Sequence, residues 1–296
     1  LLKSMKKTLA SKVKNRYVIH KHKIKYSLKL QWYQILLKLG KFDNNDEIEK
    51  LTFDKEWEYR ISIALKSEYN KFIPRVSNAG NINKGFQTMH NGLQISTGDY
   101  YGLPITKMLH LNKGVHEPEE EKMFLDVINK MPEDPVMIEM GAYWAFYSMW
   151  FLKATVRGKV YMIEPDLKNI AVGMKNLKKN NLTGTIDNYF IGKSSTTDKG
   201  TSVICLDDYI EQKGIKHINI AHADIQAYEL EMLQGATKCL GSKMADYFFV
   251  STHTNELHYS CIDFLKNYGY KILFDVDLVK AASFDGFILA VSPNVK

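Results

Sequence analysis

The sequence predicts an α/β protein in which helices flank a seven-stranded sheet, preceded by a mainly helical region. From about residue 103 onward, short apolar runs alternate with helical patterns, which is typical of a parallel sheet covered by helices. Residues 136–166 read as strand, tight turn, helix and strand, with the turn at Gly141. Open sheets of this kind bind ligands at the carboxyl ends of their strands. The fold class therefore predicts a ligand site at that edge.

The elements of the sheet follow one another at regular intervals. Short apolar runs predict strands at residues 136–140, 159–163, 185–191, 217–223, 247–251, 270–274 and 286–291. Helical spacing predicts helices at residues 117–131, 144–155, 167–180, 228–240 and 256–268. The first of these helices opens with Pro118 and three glutamates, which suit the first turn of a helix. Residues 201–212 are expected to form a connection.

The region before the sheet is predicted to be an appendage. We divide the chain into a basic arm and helical accessory region over residues 1–85 and a main domain over residues 86–296, of which 86–115 are connecting loops and a hairpin. One helix is expected around residues 28–39 and a second over 46–69, with Trp32 and Trp57 in the core. The Asn91-Gly92 pair favours a tight hairpin turn. The accessory region is expected either to cover the acceptor side or to mediate self-association into a homo-oligomer.

The composition is that of a globular protein. The chain has 296 residues, of which 45% are hydrophobic and 25% charged. No apolar run approaches the roughly 18 residues that a spanning helix needs, so no transmembrane span is expected. Three cysteines occur without CxxC spacing, which argues against a disulfide framework and a structural zinc site. These features favour a cytoplasmic setting.

The positive charge is concentrated at the N-terminus. Residues 1–30 hold ten Lys or Arg and no Asp or Glu, which exceeds the net charge of +7 for the whole chain. A nucleic-acid enzyme would carry this charge around its active-site mouth, so no nucleic-acid partner is expected. The arm is interpreted as a solvated tail or as a contact with anionic lipid head groups or acidic glycans.

Two strand ends predict a nucleoside-containing cofactor. Gly141 permits a sharp turn after the first strand, and Glu139 lies just before it. The next strand ends in Glu164, which Pro165 and Asp166 follow. A carboxylate some twenty positions after a glycine turn can accept hydrogen bonds from both hydroxyls of a ribose.

Later strands add polar groups to the same edge. His222 and Asp224 lie at the end of the strand at 217–223, and Thr252 and His253 follow the strand at 247–251. Because the carboxyl ends of parallel strands meet at one edge, these side chains are expected to lie near Glu139. A carboxylate in any one of these places is as readily explained as a helix cap, but their joint occurrence favours a site.

Seven segments together resemble one family. They are HEPEEE from His116, MIEMGAYWAFYS from Met137, YMIEPD from Tyr161, ICLDDYI from Ile204, HADIQAYELEMLQGA from His222, FVSTHT from Phe249 and FDGFILAV from Phe284. In this order the chain resembles the FkbM family of S-adenosylmethionine-dependent methyltransferases over roughly residues 90–296. The resemblance implies a Rossmann-like class I methyltransferase fold, with the last of seven strands antiparallel. It also implies O-methylation, commonly of sugar or polyketide hydroxyls, so a sugar or glycan hydroxyl is the expected acceptor.

The chain departs from the family pattern in three places. Ala145 or Phe146 stands where many members have a second glycine. Gln226 and Ala227 replace part of the motif after the fourth strand, and Ser251 stands where many members have Glu. The roles of Asp224 and His253 can still be carried over from the resemblance.

The resemblance and the residue types together predict which residues bind the cofactor. The backbone of Gly141 and Ala142 is expected against the methionine portion, with Tyr143 in contact with the cofactor or a sugar face. Glu164 is expected on the ribose, beside Pro165 and Asp166. Glu139 is expected to anchor the turn or the amino group. Glu117 is expected either to close over the cofactor or to interact favourably with the dipole of the helix that it opens.

The chemistry requires an aligned acceptor and a base. His253 is the predicted base, with Asp224 orienting it or the acceptor. A second hypothesis places a divalent metal on Asp224, His253 and His222, but no fixed ligand spacing supports it.

Two other functions are compatible with the pattern. A nicotinamide-dependent oxidoreductase shares the strand, glycine turn, helix and ribose acid, although the lone glycine disfavours pyrophosphate. A cofactor-binding scaffold without turnover is the third interpretation.

Overall fold

The computed structural model describes residues 27–295 apart from 38, 40, 199 and 200. Most of the basic arm therefore lies outside the described residues. The part of the chain that precedes α5 combines short helices with a small sheet. Its elements are α1 (residues 27–37), α2 (Asn45–Glu49), α3 (Lys55–Lys66), a 3-10 helix (Glu68–Phe72), β1 (Ile82–Asn83), β2 (Phe86–Thr88), β3 (Gln94–Ser96) and α4 (Gly102–Leu111). Strands β1, β2 and β3 are antiparallel, and the predicted Asn91-Gly92 turn lies between β2 and β3.

Two expectations for the accessory helices are wrong. The single helix over residues 46–69 is interrupted because Asp54 accepts a hydrogen bond from the backbone N–H of Trp57 and so starts α3 as a new helix. Trp32 is not in the core, because 55% of its surface is exposed. Helix α1 instead packs through its other side, where Leu37 is buried against Phe42.

The main domain alternates strands and helices. Its elements are α5 (Pro118–Ile128), β4 (Val136–Met140), α6 (Phe146–Ala154), β5 (Lys159–Ile163), α7 (Leu167–Lys179), β6 (Ile186–Asp187), β7 (Phe190–Ile191), β8 (Thr196–Asp198), β9 (Thr201–Ile204), α8 (Leu206–Lys213), β10 (Ile218–Ala223), α9 (Glu229–Gln234), α10 (Thr237–Gly241), β11 (Ala245–Thr252), α11 (Asn255–Asn267), β12 (Lys271–Val276) and β13 (Gly286–Val291).

The central sheet has seven strands in the order β12-β13-β11-β10-β4-β5-β6. Neighbours from β11 to β6 are parallel, whereas β13 is antiparallel to both β11 and β12. This arrangement confirms the predicted Rossmann-like class I methyltransferase fold. The carboxyl ends of β4, β5, β10 and β11 therefore share one edge, and β13 begins at that edge because it runs the other way.

Three predicted elements are shorter than expected. Helix α6 begins at Phe146 rather than 144 because Tyr143 and Ala145 have positive φ angles of 37° and 59°. The predicted strand 185–191 splits, since β6 joins the central sheet and β7 pairs with β9. The predicted helix 228–240 breaks into α9 and α10. The first turn of α10 donates two backbone hydrogen bonds to Asp207. The predicted connection at 201–212 contains β9 and most of α8.

Both faces of the sheet are buried. Side chains alternate along each strand, so Ile220 and Phe249 face one hydrophobic core while Ala221 and Phe248 face the other. Such a sheet holds the ends of its central strands rigidly relative to one another. No helix among the described residues is long and apolar enough to cross a membrane. The proposed division of the chain at residues 85 and 86 stays a prediction.

Candidate active site

The turn after β4 brings two strand ends into contact. Gly141 has a φ angle of +80°, and a Cβ there would lie 1.8 Å from the backbone oxygen of Asp224. Only glycine fits this approach without strain. Asp224 follows β10, and its N–H donates to Met140 O at 3.0 Å. The predicted cofactor turn and the predicted catalytic aspartate are therefore adjacent.

The backbone of this turn is hydrogen-bonded within the protein. The N–H groups of Gly141 and Ala142 both donate to Ile163 O, at 2.9 and 3.0 Å. The N–H of Tyr143 donates to the carboxylate of Glu164 at 3.1 Å. Ala145 stands in the left-handed region where the resemblance led us to expect a second glycine. The turn thus keeps a glycine-like geometry without that glycine.

Glu164 is held in place by three donors. Besides Tyr143, the N–H of Asp166 donates to it at 2.9 Å and the side-chain amide of Asn169 at 3.2 Å. Glu164 is only 4% exposed, and this burial raises the pKa of its carboxyl. Asp166 itself accepts a hydrogen bond from Lys168 N and caps α7. Glu164 therefore has a fixed orientation at the end of β5.

A cleft of about 280 Å³ lies over these strand ends, and we call it the first cleft. Most of the predicted cofactor residues line it: Glu117, Glu139, Gly141, Ala142, Tyr143, Glu164 and Pro165. His222 and Asp224 line it as well. Asp166 lies beside the cleft rather than in its lining. The residues that the strand-end rule singled out after β4, β5 and β10 therefore lie around one cleft, and their role in binding a cofactor stays a prediction.

Glu139 and Glu117 are fixed by different partners. Glu139 accepts a hydrogen bond from Ser148 N at 3.2 Å, and burial raises the pKa of its carboxyl to about 7. Glu117 accepts a hydrogen bond from the Tyr147 hydroxyl at 3.2 Å and lies 3.2 Å from His116 Nδ1. Although burial opposes it, the charge of Glu117 raises the pKa of His116 to about 9. Glu117 is thus one half of a buried ion pair in the cleft wall.

His222 belongs to a separate buried network. Its Nε2 lies 2.6 Å from Glu120 Oε1, and the hydroxyl of Ser251 donates to Glu120 Oε2 at 2.7 Å. This pairing engages Nε2 with Glu120. No group of three or more His, Cys, Asp or Glu among the described residues is arranged to hold a metal ion. The three-residue metal hypothesis therefore has no support in the geometry.

A second cleft of about 410 Å³ adjoins the first, and we call it the second cleft. Trp57 and Arg60 of α3 line it on one side, and His253 and Asp285 line it on the other. Both clefts share a set of lining residues: Tyr100, Tyr101, His116, Glu117, Asp224 and Gln226. These six residues form a shared wall, and ligands bound in the two clefts would therefore contact each other beside it.

His253 is surrounded by carboxylates. Its Nε2 lies 3.3 Å from Asp224 and 3.5 Å from Asp285, and its Nδ1 lies 3.0 Å from Glu229. Burial alone would lower the pKa of His253, but hydrogen bonds to Asp224 and Glu229 raise it to about 10. The side-chain amide nitrogen of Gln226 lies 2.9 Å from Nε2 and donates to Asp224 at 3.3 Å, and the backbone nitrogen of Ala227 lies 3.3 Å from Nδ1.

The two aspartates beside His253 differ in their ionisation. Despite its burial, the hydrogen bond and charge of His253 hold the pKa of Asp224 below its usual value. Burial and the charge of Asp224 raise the pKa of Asp285 to about 7. Sequence reasoning missed Asp285 because the strand-end rule applies only to the carboxyl ends of strands. Asp285 precedes β13, whose antiparallel direction places its first residues at the same edge.

Comparisons with known proteins agree with the fold only in broad outline. No family model and no curated protein matches the sequence, so membership of the FkbM family is not confirmed. A precorrin-6y C5,15-methyltransferase from Geobacter metallireducens is 14% identical with a TM-score of 0.43, covering 60% of this chain and 89% of its own. An O-methyltransferase from Bacillus cereus is 13% identical with a TM-score of 0.41, covering 60% and 81%. An S-adenosylmethionine-dependent methyltransferase from Aquifex aeolicus is 12% identical with a TM-score of 0.35, covering 58% and 88%. These likenesses are remote, and the fold assignment rests on the strand order of the sheet.

Proposed function

We propose that the protein is an S-adenosylmethionine-dependent O-methyltransferase that methylates a hydroxyl of a sugar or glycan. One observation carries this proposal. A methyltransferase-type sheet brings a single-glycine turn at Gly141 and a buried carboxylate at Glu164 into one cleft, next to a second cleft that can hold an acceptor. The two clefts meet at Asp224, where the reacting atoms would lie.

The first cleft offers groups that suit the cofactor. Glu164 accepts three hydrogen bonds from the protein, and a carboxylate has about four acceptor positions, so one remains for a ribose hydroxyl. Glu117 and Asp224 offer carboxylate oxygens that can accept hydrogen bonds from an ammonium group. Pro165 and Ile191 present apolar surface for an adenine ring. The buried Nδ1 of His222, in the same wall, has no hydrogen-bond partner among the described residues.

The same turn disfavours a dinucleotide. Pyrophosphate binding uses free backbone N–H groups at a glycine-rich turn. Here the N–H groups of Gly141, Ala142 and Tyr143 are already donated to Ile163 and Glu164. This observation weighs against the nicotinamide-dependent oxidoreductase.

The second cleft suits a polyhydroxylated acceptor. The rings of Trp57 and Tyr101 lie 6.4 Å apart and offer apolar faces of the kind that sugars pack against. Asp224 and Asp285 can accept hydrogen bonds from hydroxyl groups. In this proposal the accessory region covers the acceptor side, because Trp57 belongs to α3.

When bound, the cofactor supplies a methyl group on a cationic sulfur. Transfer breaks the carbon–sulfur bond, forms a carbon–oxygen bond and releases the hydroxyl proton. With a pKa of about 10, His253 already holds a proton at neutral pH, so it is poorly suited to the role of base that the sequence suggested. We assign that role to Asp285, whose pKa lies near 7, and we assign to His253 the orientation of Asp224 and Asp285. A base in this position contributes about 10²- to 10⁴-fold in rate.

Calorimetry tests the cofactor assignment. We expect S-adenosylmethionine to bind with micromolar affinity and Glu164→Ala to abolish binding, since the ribose loses its acceptor. Glu133→Ala is the matched control, because Glu133 is an exposed carboxylate paired with Arg157. Binding of a nicotinamide dinucleotide in place of S-adenosylmethionine would overturn the proposal.

Activity is tested by release of S-adenosylhomocysteine over a panel of sugars, glycans and lipid-linked sugars. Transfer should rise with pH through about 7 in the wild type, since Asp285 accepts a proton only when ionised. Asp285→Asn should lose both the activity and this pH dependence, whereas Asp263→Asn on the exposed side of α11 should keep both. Cofactor binding without transfer to any acceptor would support the non-catalytic scaffold instead.

A further inference from the structure

Arg60 is a charged side chain of the second cleft that has no role in the proposed reaction. It belongs to α3, and its guanidinium packs against two aromatic rings that also line the cleft. The guanidinium carbon is 3.1 Å from the centroid of the Phe284 ring and 5.0 Å from that of the Trp57 ring. Stacking on aromatic faces favours a fixed orientation of this planar group. The guanidinium fork of Arg60 is therefore held in place at the cleft wall.

Most of the hydrogen-bond donors of Arg60 have no partner among the described residues. A guanidinium carries five N–H groups and stays charged at any pH that a protein tolerates. Its one hydrogen bond runs from Nη2 to the carboxylate of Glu56 at 3.0 Å, and its buried Nε has no partner among the described residues. Glu56 lies one helical turn earlier, and 71% of its side chain is exposed, against 29% for Arg60. Such an exposed helix pair is screened by water and contributes little.

The remaining charged groups of the second cleft have partners within its wall. Three carboxylates and two histidines are among the described residues that line it, and each of these carboxylates lies within 3.5 Å of a histidine. Arg60 differs from them, because its partner Glu56 is not part of the lining. The lining therefore presents one cation without a counter-charge beside it.

We infer that the acceptor is an acidic sugar and that Arg60 binds its anionic group. This inference rests on the proposed function, which assigns the acceptor to the second cleft. The guanidinium fork matches the two oxygens of a carboxylate or of a phosphate ester, and it can donate two hydrogen bonds at once. Arg60 packs on Phe284, which is next to Asp285 in the chain, so the anionic group and the reacting hydroxyl would lie near each other on the acceptor.

Other classes of acceptor fit Arg60 less well. A neutral sugar would cover the guanidinium and remove water from it without supplying a counter-charge, which costs free energy. A cationic acceptor, such as an amino sugar, would be repelled by it. An acidic sugar replaces the lost water with charge-assisted hydrogen bonds, while its ring can still pack against Trp57.

Binding of matched sugars tests the inference without methyl transfer. The probes are the methyl glycosides of glucose, galactose and mannose, the methyl glycosides of the corresponding uronic acids, and the 6-phosphates of the three neutral glycosides. Dissociation constants are measured by NMR titration of the full chain, with and without S-adenosylhomocysteine. In at least one series an acidic member should bind about tenfold or more tightly than the neutral member. The acid that binds more tightly distinguishes a carboxylate from a phosphate.

Variants of Arg60 assign this preference to its guanidinium. Arg60→Gln should abolish the preference for the acid and keep the affinity for the neutral sugar, whereas Arg60→Lys should retain part of the preference, because the charge persists without the fork. Arg157→Gln is the matched control, since Arg157 is an exposed arginine paired with Glu133 and Asp134, and it should bind as the wild type does. Thermal unfolding by circular dichroism should give nearly equal midpoints for these variants, which separates loss of binding from loss of fold.

The outcomes distinguish this inference from the proposed function. Equal affinity for acidic and neutral members in every series would overturn the inference, as would no binding of any acid or a preference that survives Arg60→Gln. The methyltransferase proposal would still stand if S-adenosylmethionine binds, because Arg60 is not among the described residues that line the first cleft. A preference that depends on Arg60 in a protein that binds no S-adenosylmethionine would instead support the acidic-sugar site and refute the methyltransferase.

Discussion

The substitution Gly141→Ala tests how closely the turn after β4 and the end of β10 are joined. Alanine in the left-handed region costs about 1–2 kcal/mol. Its Cβ would also lie 1.8 Å from Asp224 O, and real contacts of this kind are never under 3.0 Å. The Asp224 carbonyl would have to move by more than 1 Å, which disrupts the 3.0 Å hydrogen bond from Asp224 N to Met140 O at a cost of about 1 kcal/mol. We expect the free energy of unfolding to fall by about 3 kcal/mol in total.

Two other glycines separate the contributions to this loss. Gly214 has a φ angle of +64° and open space around a new Cβ, so Gly214→Ala should cost only the conformational term of about 1–2 kcal/mol. Gly241 ends α10 with no positive φ and no atom within 4 Å of a new Cβ. Gly241→Ala should therefore be neutral or stabilise the protein by up to about 1 kcal/mol.

Urea unfolding of the three variants gives the free energies, and calorimetry with S-adenosylmethionine gives the functional consequence. Only Gly141→Ala should weaken cofactor binding, because only that change moves Asp224. If Gly141→Ala unfolded at the same urea concentration as Gly214→Ala and bound the cofactor as the wild type does, the contact with Asp224 would carry no energy and the reasoning would fail.

Three further predictions concern buried polar groups. His253→Gln should destabilise the protein by about 3 kcal/mol at pH 6, because it leaves buried Glu229 without its cation. Urea titrations should show this difference shrinking as the pH rises from 6.5 through 10, because His253 of the wild type loses its proton over that range. Between pH 5 and 8 the unfolding free energy of Glu139→Gln should rise relative to that of the wild type by on the order of 2 kcal/mol. The reason is that burial raises the pKa of Glu139 to about 7, so the wild-type protein becomes less stable as the pH rises from 4.5 through 7. A difference that does not change with pH would contradict this. Tyr143→Phe should cost about 1 kcal/mol of unfolding free energy by removing the hydroxyl that donates to Asp99 O at 3.1 Å, with cofactor affinity unchanged if only the ring contacts the ligand.

The fold was predictable because its signal is long and repeated. Alternating apolar runs and helical patterns cover the whole main domain, and errors in single boundaries do not change the order of the elements. The errors fall where one residue decides locally. Ala145 takes a left-handed φ that its side chain gives no reason to expect, so α6 begins two residues late. Trp32 is exposed although large aromatic residues are usually buried, because the other side of α1 makes the contacts.

The position of the candidate site was predictable from the sequence, and its chemistry was less so. Gly141 and Glu164 follow from the rule that ligands bind at the carboxyl ends of parallel strands. Asp285 precedes its strand, and only the antiparallel direction of β13 brings it to the same edge. The charge of His253 depends on Asp224, Glu229 and Asp285, and together with His253 these groups come from three separate segments. No spacing in the sequence indicates that these four groups converge.

The convergence of these groups has an electrostatic consequence for methyl transfer. In the proposed reaction a cationic sulfur would become neutral as the methyl group is transferred, and the acceptor hydroxyl would lose its proton. A carboxylate that accepts this proton also becomes neutral, so the summed charge of cofactor, acceptor and carboxylate would stay constant. Asp224 cannot fill this role easily, because His253 stabilises its ionised form. Asp285 can, since burial and the charge of Asp224 favour its neutral form, and the ion pair of His253 with Asp224 and Glu229 persists unchanged beside it.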